Sequence, residues 1–484
     1  MNIGLAMLAV GAVLVGSVFA ALGAAKTRFP ALVGFLGIGM LLGSDGPGGI
    51  DFDDAQLARE VGVVSLAAIL YEGGLSTSWR RLRSVAVPAV ALSTVGVLVT
   101  AAITGLAAHA LFDLTWVEAL LLGSVVASTD AAAVFATLRH TRLRRSLART
   151  LEAESGANDP VAIALTLGLI AWIEQPGYGA GDLTVLLIRQ LGLGLAVGLV
   201  LGFAATWVFA RIPTSIAAFA PVASVATAAI AFGAADSIHG SGFLAVYLVG
   251  LAVGSTPSPY RGQLVTFHEG LAYVAQVGLF IVLGLLVFPS QLSDVALAAI
   301  GLTATLIVLA RPAAVWLSTV PLNVFSQRER VLLGWAGLRG AVPIVLGTFV
   351  LSSKLGSADT IFNAVFFVVL VSAALQGTTL EWVAGRLGLV VSGPRPSPPL
   401  QVAHGHSLNV VEFAVADDHA IAGSAVRELG LPRDTLVAVV VRDGQSIPPR
   451  GSTMVEPGDV LFVLAPDGKG AEIEDVFARW RQRV

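Results

Sequence analysis

Cysteine is absent from this 484-residue chain, and charged side chains are scarce. Without cysteine, the protein can form neither disulfide bonds nor thiolate metal sites. Charged residues make up 13% of the sequence, against roughly 25% in soluble domains. The formal net charge of −3 gives no basic excess that would favour binding to nucleic acid. Hydrophobic residues account for 55% of the chain, and the mean hydropathy is +0.82. The composition therefore predicts a membrane protein with many spans.

The first apolar segment, from Ile3 to about Ala25, lacks the preceding basic residues of a signal peptide. Its nearest basic residues, Lys26 and Arg28, follow it, so we interpret it as a first membrane span. A run of about 20 apolar residues can cross a bilayer as a helix. About thirteen such runs are present, centred near residues 14, 38, 68, 97, 126, 161, 196, 225, 248, 277, 307, 342 and 371.

Basic residues are concentrated in alternate loops between the predicted spans. One set of loops carries most of the arginines, including Arg80, Arg144 and Arg328, whereas the other set is mainly acidic and includes Asp113 and Asp236. Basic loops tend to stay in the cytoplasm. The pattern therefore predicts a multi-pass protein of the cell (inner) membrane, with its N-terminus outside and its C-terminus in the cytoplasm.

Spans one to six and eight to thirteen are predicted to form two halves of opposite topology, as in transporters built from inverted repeats. The polar interruption Ser128-Thr129-Asp130 in span five and the segment 337–343 in span twelve occupy equivalent positions. This interpretation rests on topology alone. The predicted fold class is an all-α polytopic membrane protein with two broken, crossing helices, followed by a small α+β domain.

A proline-rich linker is predicted at residues 391–402, because four prolines lie within residues 392–399. Residues 1–390 would then form the membrane domain, and residues 403–484 a cytoplasmic α+β module. In that module we expect strands at 409–415, 436–441 and 459–464, a short helix at 424–429 and a closing helix at 472–482.

Three acidic side chains lie within predicted spans: Glu72 in span three, Asp130 in span five and Asp159 in span six. Ionisable residues inside a membrane are costly and by default mark the path of an ion. Ser155 lies one helical turn before Asp159 and on the same face. With Thr129 and Asp130 from the neighbouring span, these two residues offer the oxygen ligands that hard cations prefer. We therefore predict a cation site formed by Asp159, Ser155, Asp130 and Thr129.

Such a site suits exchange, because a carboxylate removed from water takes up a proton more readily. A proton and a cation would then compete for the same side chain. If Asp159 alone exchanges, one proton leaves for each monovalent cation, and the cycle is electroneutral. The adjacent Asn158 cannot titrate, which argues against a second proton carrier beside it.

Arg339 in span twelve is expected to be buried and to need a partner, since an unpaired buried charge is strongly unfavourable. Glu154, which shares a helical face with Asn158, is the predicted partner. These three residues would brace span six against span twelve. Arg311 also lies within a span, and we expect it to brace helices or to extend toward the interface.

Simpler structural roles stay open for several of these residues. Asp130 could cap a half-helix, and Asp159, which precedes a proline, could lie at a helix N-terminus stabilised by the helix dipole. Glu72 could be solvated at the membrane boundary. His268 and Glu269 could be plain interfacial residues.

Several motifs, in this order along the chain, resemble the NhaP-like branch of the monovalent cation/proton antiporters. They are Tyr-Glu-Gly-Gly-Leu at 71–75, Ser-Thr-Asp at 128–130, Glu-Ser-Gly-Ala-Asn-Asp-Pro at 154–160, Phe-Ile-Val-Leu-Gly-Leu-Leu at 280–286 and Gly-Trp-Ala-Gly-Leu-Arg-Gly-Ala at 334–341. The resemblance covers roughly residues 1 to 390. It implies a thirteen-helix fold, a homodimer and alternating access by movement of a core bundle.

The same resemblance assigns roles to individual residues. It places the ion at Asp159, helped by Ser155, Asp130 and main chain near Thr129, with Glu72 in or near the cytoplasmic access route. It also implies that Asn158, Glu154 and Arg339 form a structural network. One departure is Ala131, where many relatives have proline after the span-five aspartate.

Residues 403–484 resemble the TrkA-C (RCK-C) regulatory domains of potassium channels and transporters. The matching stretches include Leu-Gly-Leu-Pro at 429–432 and Val-Glu-Pro-Gly-Asp-Val-Leu at 455–461. No Gly-x-Gly-x-x-Gly follows a strand, so binding of NAD or ATP is not supported. The resemblance implies dimerisation, regulation of transport and a possible small ligand such as a cyclic dinucleotide, and it favours potassium over sodium as the cation.

Two other functions are alternatives to antiport. A ligand-gated monovalent cation channel would fit the tail, but a potassium channel needs a filter such as Thr-Val-Gly-Tyr-Gly, which the sequence lacks. A membrane-embedded enzyme would need an arrangement such as His-Glu-x-x-His within a span, and none is present. We therefore predict a secondary antiporter of K⁺ or Na⁺ and H⁺, with no enzymatic activity and no cofactor.

Overall fold

A computed structural model describes residues 3–27, 30–130, 133–134, 143–213, 218–256, 258, 260–390, 400–402, 406–416, 418–442, 445–466 and 470–481. The chain divides into two compact units. The first consists of Met1–Pro257 with Gln263–Val391, and the second of Ser392–Val484 with Ser258–Gly262. The predicted linker at 391–402 lies outside the described residues, apart from Leu400–Val402, which form a short β-strand.

The first unit is mainly helical. In chain order its helices are α1 (Ile3–Thr27), α2 (Ala31–Leu42), α3 (Ala55–Ser76), α4 (Ala86–Leu111), α5 (Trp116–Val125), α6 (Arg145–Glu174), α7 (Ala180–Phe209), α8 (Ala220–Ser237), α9 (Gly242–Ser255), α10 (Arg261–Leu285), α11 (Pro289–Thr319), α12 (Gln327–Trp335), α13 (Ala341–Leu351) and α14 (Ala358–Arg386). A helical turn, Trp79–Leu82, follows α3.

Seven of the described helices are long and apolar enough to cross a membrane: α4, α6, α7, α8, α10, α11 and α14. Shorter apolar helices include α2, α5, α9 and α13. Twelve of the predicted span centres fall within a helix, and the other one, near 126, falls directly after the end of α5. The predicted positions of the spans therefore agree with the structure.

The two interruptions lie side by side. Helix α5 ends at Val125 and is followed by non-helical chain through residue 130, and α12 and α13 are separated by residues 336–340. The backbone N–H of Asp130 donates to the carbonyl of Leu338 at 2.9 Å, which joins the two interruptions directly. At Gly340 a Cβ atom would overlap the Asp130 carboxylate, so only glycine allows this approach. The prediction of two broken, crossing helices is confirmed.

Two wider turns provide a second correspondence between the halves of the membrane unit. Helix α4 contains a π-helical turn at Leu92–Gly96, and α11 contains one at Leu306–Ala310. Such turns are rare and occur mostly as single interruptions near functional sites. Since α4 and α11 are spans four and eleven, the π-turns occupy equivalent positions, as the broken helices do. This supports the two-half interpretation on grounds other than topology.

Small residues let several helices approach closely. Helices α3 and α9 pack backbone to backbone, because a Cβ at Gly74 or Gly250 would meet main-chain atoms of the other helix. Without a hydrophobic effect between helices in lipid, such close packing is a principal source of attraction. It also explains why glycine is frequent within these apolar segments.

The second unit is a small α+β domain with a five-stranded antiparallel sheet in the order β1-β2-β5-β3-β4. Its elements are β1 (Leu400–Val402), β2 (His406–Ala414), β3 (Leu436–Arg442), β4 (Gln445–Ile447), β5 (Val460–Pro466) and α15 (Gly470–Arg481). Phe477 and Trp480 of α15 pack on Phe413 of β2. Strands β2, β3 and β5 and the closing helix were predicted, whereas the expected helix at 424–429 is a single 3₁₀ turn, Val426–Glu428.

Candidate cation site

Asp159 lies well inside α6, at the level of the crossing interruptions. Its side chain is buried, and the Ser128 hydroxyl donates a hydrogen bond to its carboxylate. Helix α6 begins at Arg145 and continues through Pro160 without ending. The alternative of a carboxylate at a helix N-terminus is therefore wrong for Asp159. A carboxylate in mid-helix gains little from the helix dipole, which acts within the first turn.

Ser155 and Thr129 are brought together beside Asp159, as predicted. Their hydroxyl oxygens are 3.3 Å apart, so the loop after α5 touches α6 at this point. The Asn158 amide donates to the Thr129 hydroxyl oxygen at 2.6 Å. The Asn158 amide oxygen is buried, and within the described part of the chain it has no hydrogen-bond partner. Asn158 thus holds Thr129 in position without contributing a titrating group.

Asp130 ends the interrupted segment after α5. Its carboxylate accepts a hydrogen bond from the backbone N–H of Ala133 at 3.1 Å, which is capping geometry for the chain that follows. The same carboxylate packs against Gly340 and lines the cavity that Asp159 lines. The structure is therefore compatible with both roles considered for Asp130, a helix cap and a supporting acid. Ala131, the departure from relatives, lies outside the described residues.

A cavity of about 620 Å³ opens at this site. It is lined by all five side chains predicted to contact the cation or proton: Glu72, Thr129, Asp130, Ser155 and Asp159. Glu72 is half-buried and accepts a hydrogen bond from Ser76 at 2.6 Å, so it is not a freely solvated boundary residue. These five side chains contribute three carboxylates and two hydroxyls to the cavity lining, and such oxygen ligands suit a monovalent cation.

Arg339 does not pair with Glu154, so that prediction is wrong. The Arg339 guanidinium is buried and donates to the carbonyls of Ala127 and Ser128, at 2.6 Å each. These carbonyls follow the end of α5, where intrahelical partners are lost. A cation at this end also interacts favourably with the helix dipole. Arg339 therefore donates hydrogen bonds to the unpaired carbonyls after α5 and, among the described residues, does not form an ion pair with a carboxylate.

Glu154 instead pairs with Arg311 of α11. The Arg311 Nη2 to Glu154 Oε2 distance is 2.9 Å, and a second contact makes the pair bidentate. Only 3% of Arg311 and 1% of Glu154 are exposed, so neither charge has water as an alternative partner. Arg311 follows the π-turn of α11 directly and so faces α6. The bracing role of Glu154 is present, but it joins α6 to α11 and not to α12.

Sequence profiles of two known families match this chain. The sequence profile of the sodium/hydrogen exchanger transmembrane domain matches residues 10–386. The chain belongs to the sodium/hydrogen exchanger family. A second profile, that of the TrkA-C domain, matches residues 410–478 of the exchanger. Both resemblances found in the sequence are therefore confirmed.

Relatives of the exchanger match over nearly its whole length. It is 38% identical over 480 residues to the K(+)/H(+) antiporter NhaP2 of Shewanella sp. (strain MR-4), covering 98% of this chain and 82% of that one. It is 38% identical over 482 residues to the K(+)/H(+) antiporter NhaP of Alkalimonas amylolytica, covering 98% and 83%. These named relatives are antiporters, and neither supports the channel alternative.

A solved structure gives the same fold. The sodium proton antiporter MjNhaP1 from Methanocaldococcus jannaschii superposes on the exchanger with a TM-score of 0.70. The match covers 79% of this chain and 99% of that one, at 24% identity. At this identity the likeness establishes the architecture, and the predicted fold class is confirmed.

Several residues of the exchanger's site were missed by sequence reasoning. Tyr247 and Gln276 line the cavity from α9 and α10. On α14, Ser372 accepts from the Arg339 backbone N–H at 3.3 Å, and Gln376 donates to the Trp335 carbonyl at 2.8 Å, which supports the interruption before α13. A sequence signal existed for each: a polar residue within an apolar span.

His268 is buried rather than interfacial. Only 2% of it is exposed, and its Nε2 lies 2.9 Å from the Ser224 hydroxyl. Tyr71, next to Glu72, shares the same hydroxyl at 2.8 Å. The three side chains tie α3, α8 and α10 together, so His268 has a structural role that its sequence position did not suggest.

Proposed function

We propose that the exchanger moves potassium against protons, with Asp159 as the site that the two ions occupy in turn. The observation that carries this proposal is the Asp159 carboxylate, which is buried between two crossing interruptions and lines an open cavity. In a buried setting a carboxylate cannot stay charged without a counter-ion. It therefore holds either a proton or a cation, and exchanging one for the other is antiport.

The surrounding side chains favour each state in turn. The hydroxyls of Ser155 and Thr129 offer oxygen atoms to a cation at Asp159 and lie 3.3 Å apart. The Ser128 hydroxyl donates to the carboxylate, which keeps it oriented when the cation leaves. Because Asn158 is neutral, one carboxylate exchanges one charge, and we propose an electroneutral cycle. Asp130 and Glu72 act as supporting acids that attract cations to the cavity.

Potassium is proposed because of the relatives. The two antiporters described above, which match nearly the whole chain at 38% identity, are named for potassium, and the structural neighbour named for sodium matches at 24%. Carboxylate and hydroxyl oxygens bind either ion. The choice between them therefore depends on the dimensions of the site and on the number of ligands around it.

We further propose that the exchanger works as a homodimer by alternating access and that its TrkA-C domain regulates transport from the cytoplasm. The basic loops that predict this orientation also carry Trp–Arg pairs. Arg211 lies 3.8 Å from the ring centre of Trp207, and Arg386 lies 5.4 Å from that of Trp382. Aromatic residues and arginine together are typical of the membrane interface. Both pairs fit the cytoplasmic side of a multi-pass inner-membrane protein.

The direct test is cation-induced proton movement in proteoliposomes, with K⁺, Na⁺ and Li⁺ compared. Asp159→Asn keeps the shape of the side chain but cannot exchange a proton, and we expect it to abolish exchange. Asp294→Asn, at an exposed position on α11, is the matched control and should leave the rate unchanged. Exchange at the wild-type rate by Asp159→Asn would show that the site is elsewhere.

A further inference from the structure

We propose that Gln276 of α10 is a further cation ligand, and that its amide oxygen gives the site its preference for a larger alkali cation. This inference rests on the proposed function, because it adds a ligand to the Asp159 site. It concerns a residue that neither the sequence motifs nor the predicted ligand set includes.

The first observation is the position of Gln276 in the cavity. It lines the same 620 Å³ space as Asp159 and Ser155. The side chain is half-buried, and among the described residues its amide has no hydrogen-bond partner. A polar amide in an apolar setting costs free energy unless something satisfies it. Water or an ion in the cavity must therefore be its partner.

The second observation is depth. Helix α10 runs from Arg261 to Leu285, so at 1.5 Å per residue Gln276 lies about 22 Å from one end and about 14 Å from the other. This is near the middle of a hydrocarbon core of about 30 Å. Its neighbours Ala275 and Val277 are apolar. A lone polar residue at this depth, facing a cavity, marks an ion path.

The third observation concerns the ligands already assigned. Asp159 and Ser155 lie on α6, and Thr129 and Asp130 lie in the interruption that touches α6, so the four predicted ligands come from one wall of the cavity. One of these oxygen atoms already accepts a hydrogen bond within the protein, because Asn158 donates to the Thr129 hydroxyl. A cation that loses its hydration shell needs oxygen atoms on several sides. Gln276 supplies one from a different helix.

Helix α10 is also held in place by its packing. A Cβ at Gly284 would lie 2.8 Å from the Gly39 Cα, so α10 and α2 are in backbone contact. A ligand on a fixed helix is better positioned than one on a loop. Because an amide oxygen is neutral, it can add to coordination without adding a proton to the cycle. A larger cation is surrounded by ligands that lie farther apart, so its binding gains most from an oxygen atom on this second helix.

The test compares Gln276→Leu and Gln276→Met with wild type in proteoliposomes, by the apparent KM and kcat for K⁺, Na⁺ and Li⁺. We expect the KM for K⁺ to rise at least tenfold and that for Li⁺ to rise less than threefold, with kcat within twofold of wild type. Gln276→Asn, which keeps an amide oxygen on a shorter side chain, should lie between. Gln190→Leu is the matched control, since Gln190 is a half-buried glutamine of α7 outside the cavity lining.

A calorimetric titration of each purified variant with K⁺ and Li⁺ provides a readout independent of transport. It should show the same selective loss of K⁺ affinity. Unchanged affinity for both ions, or an equal loss for both, would overturn the assignment of Gln276. If instead the wild type exchanges none of the cations, the proposed function fails, and the titration still decides whether Gln276 contributes to binding. Gln276→Met guards against misfolding, because it keeps the length of the side chain.

Discussion

Removing the Arg311 guanidinium should destabilise the protein strongly, because it leaves the Glu154 carboxylate buried without a charged partner. The two residues are at most 3% exposed, and their side chains form a bidentate pair between α6 and α11. Deleting one member of a buried ion pair typically costs about 3–5 kcal/mol. We therefore expect Arg311→Met to lower the free energy of unfolding by about that amount.

The double variant tests which of the two arginines near Glu154 is paired with it. Glu154→Gln/Arg311→Met removes both charges, so it should recover part of the loss, with a coupling energy of roughly 2–3 kcal/mol. Arg339→Met should also be destabilising, since it removes two hydrogen bonds from a charged donor, each contributing about 1.5–3 kcal/mol. That loss should not be recovered by Glu154→Gln, because Arg339 contacts carbonyls and not the carboxylate.

The assay is denaturant unfolding in mixed detergent micelles, with the free energy of unfolding taken from the linear dependence on denaturant. Each variant must first pass the tests for a two-state transition. A stronger coupling of Glu154 to Arg339 than to Arg311 would refute the pairing described above. Such a result would support the pairing of Arg339 with Glu154 that the sequence predicts.

Two further predictions follow from contacts in each unit. A Cβ at Gly156 would lie 2.6 Å from the Tyr247 ring, and overpacking of this kind costs about 1–3 kcal/mol. Gly156→Ala should therefore slow exchange in proteoliposomes, and the double variant Gly156→Ala/Tyr247→Leu should recover the rate. A wild-type rate in Gly156→Ala would contradict the contact. In the second unit, burial raises the pKa of Asp459, but hydrogen bonds from Arg442 and from the Glu456 N–H outweigh it and hold that pKa below its usual value. The stability that this lowered pKa provides is present above the unfolded-state pKa of about 3.9 and is lost as the pH falls through the folded-state pKa. Hydrogen exchange in β3 and β5 of the full chain should therefore accelerate below about pH 4. In Asp459→Asn this pH dependence should be absent.

Much of the membrane fold could be predicted because its signals are local. An apolar run of sufficient length indicates a membrane span, and a polar or glycine-rich interruption indicates where that span is broken. Asp130 and Arg339 both lie in such interruptions, and the structure brings these together through the Asp130 N–H and the Leu338 carbonyl. The proximity of Ser155 and Asp159 was predictable for the same reason, since they are related by one turn of a single helix.

Contacts between distant helices were less accessible, because they depend on packing that no local pattern encodes. The π-turn of α11 directs Arg311 toward Glu154, although the two residues are 157 positions apart. Tyr247 and Gln276 reach the cavity for similar reasons. In the second unit, β1 and β4 were missed because each has only three residues, too few for an alternating pattern to be recognised.

Arg339 shows that charge balance alone does not predict the partner of a buried cation. Charge balance predicts that a buried arginine pairs with a nearby carboxylate, here Glu154. A broken helix makes a second demand, since its last carbonyls lose their partners and cannot find water at membrane depth. Arg339 meets that demand at Ala127 and Ser128, which leaves Glu154 to Arg311. Wherever a membrane helix is interrupted, its orphaned carbonyls should therefore compete with carboxylates for any buried arginine nearby.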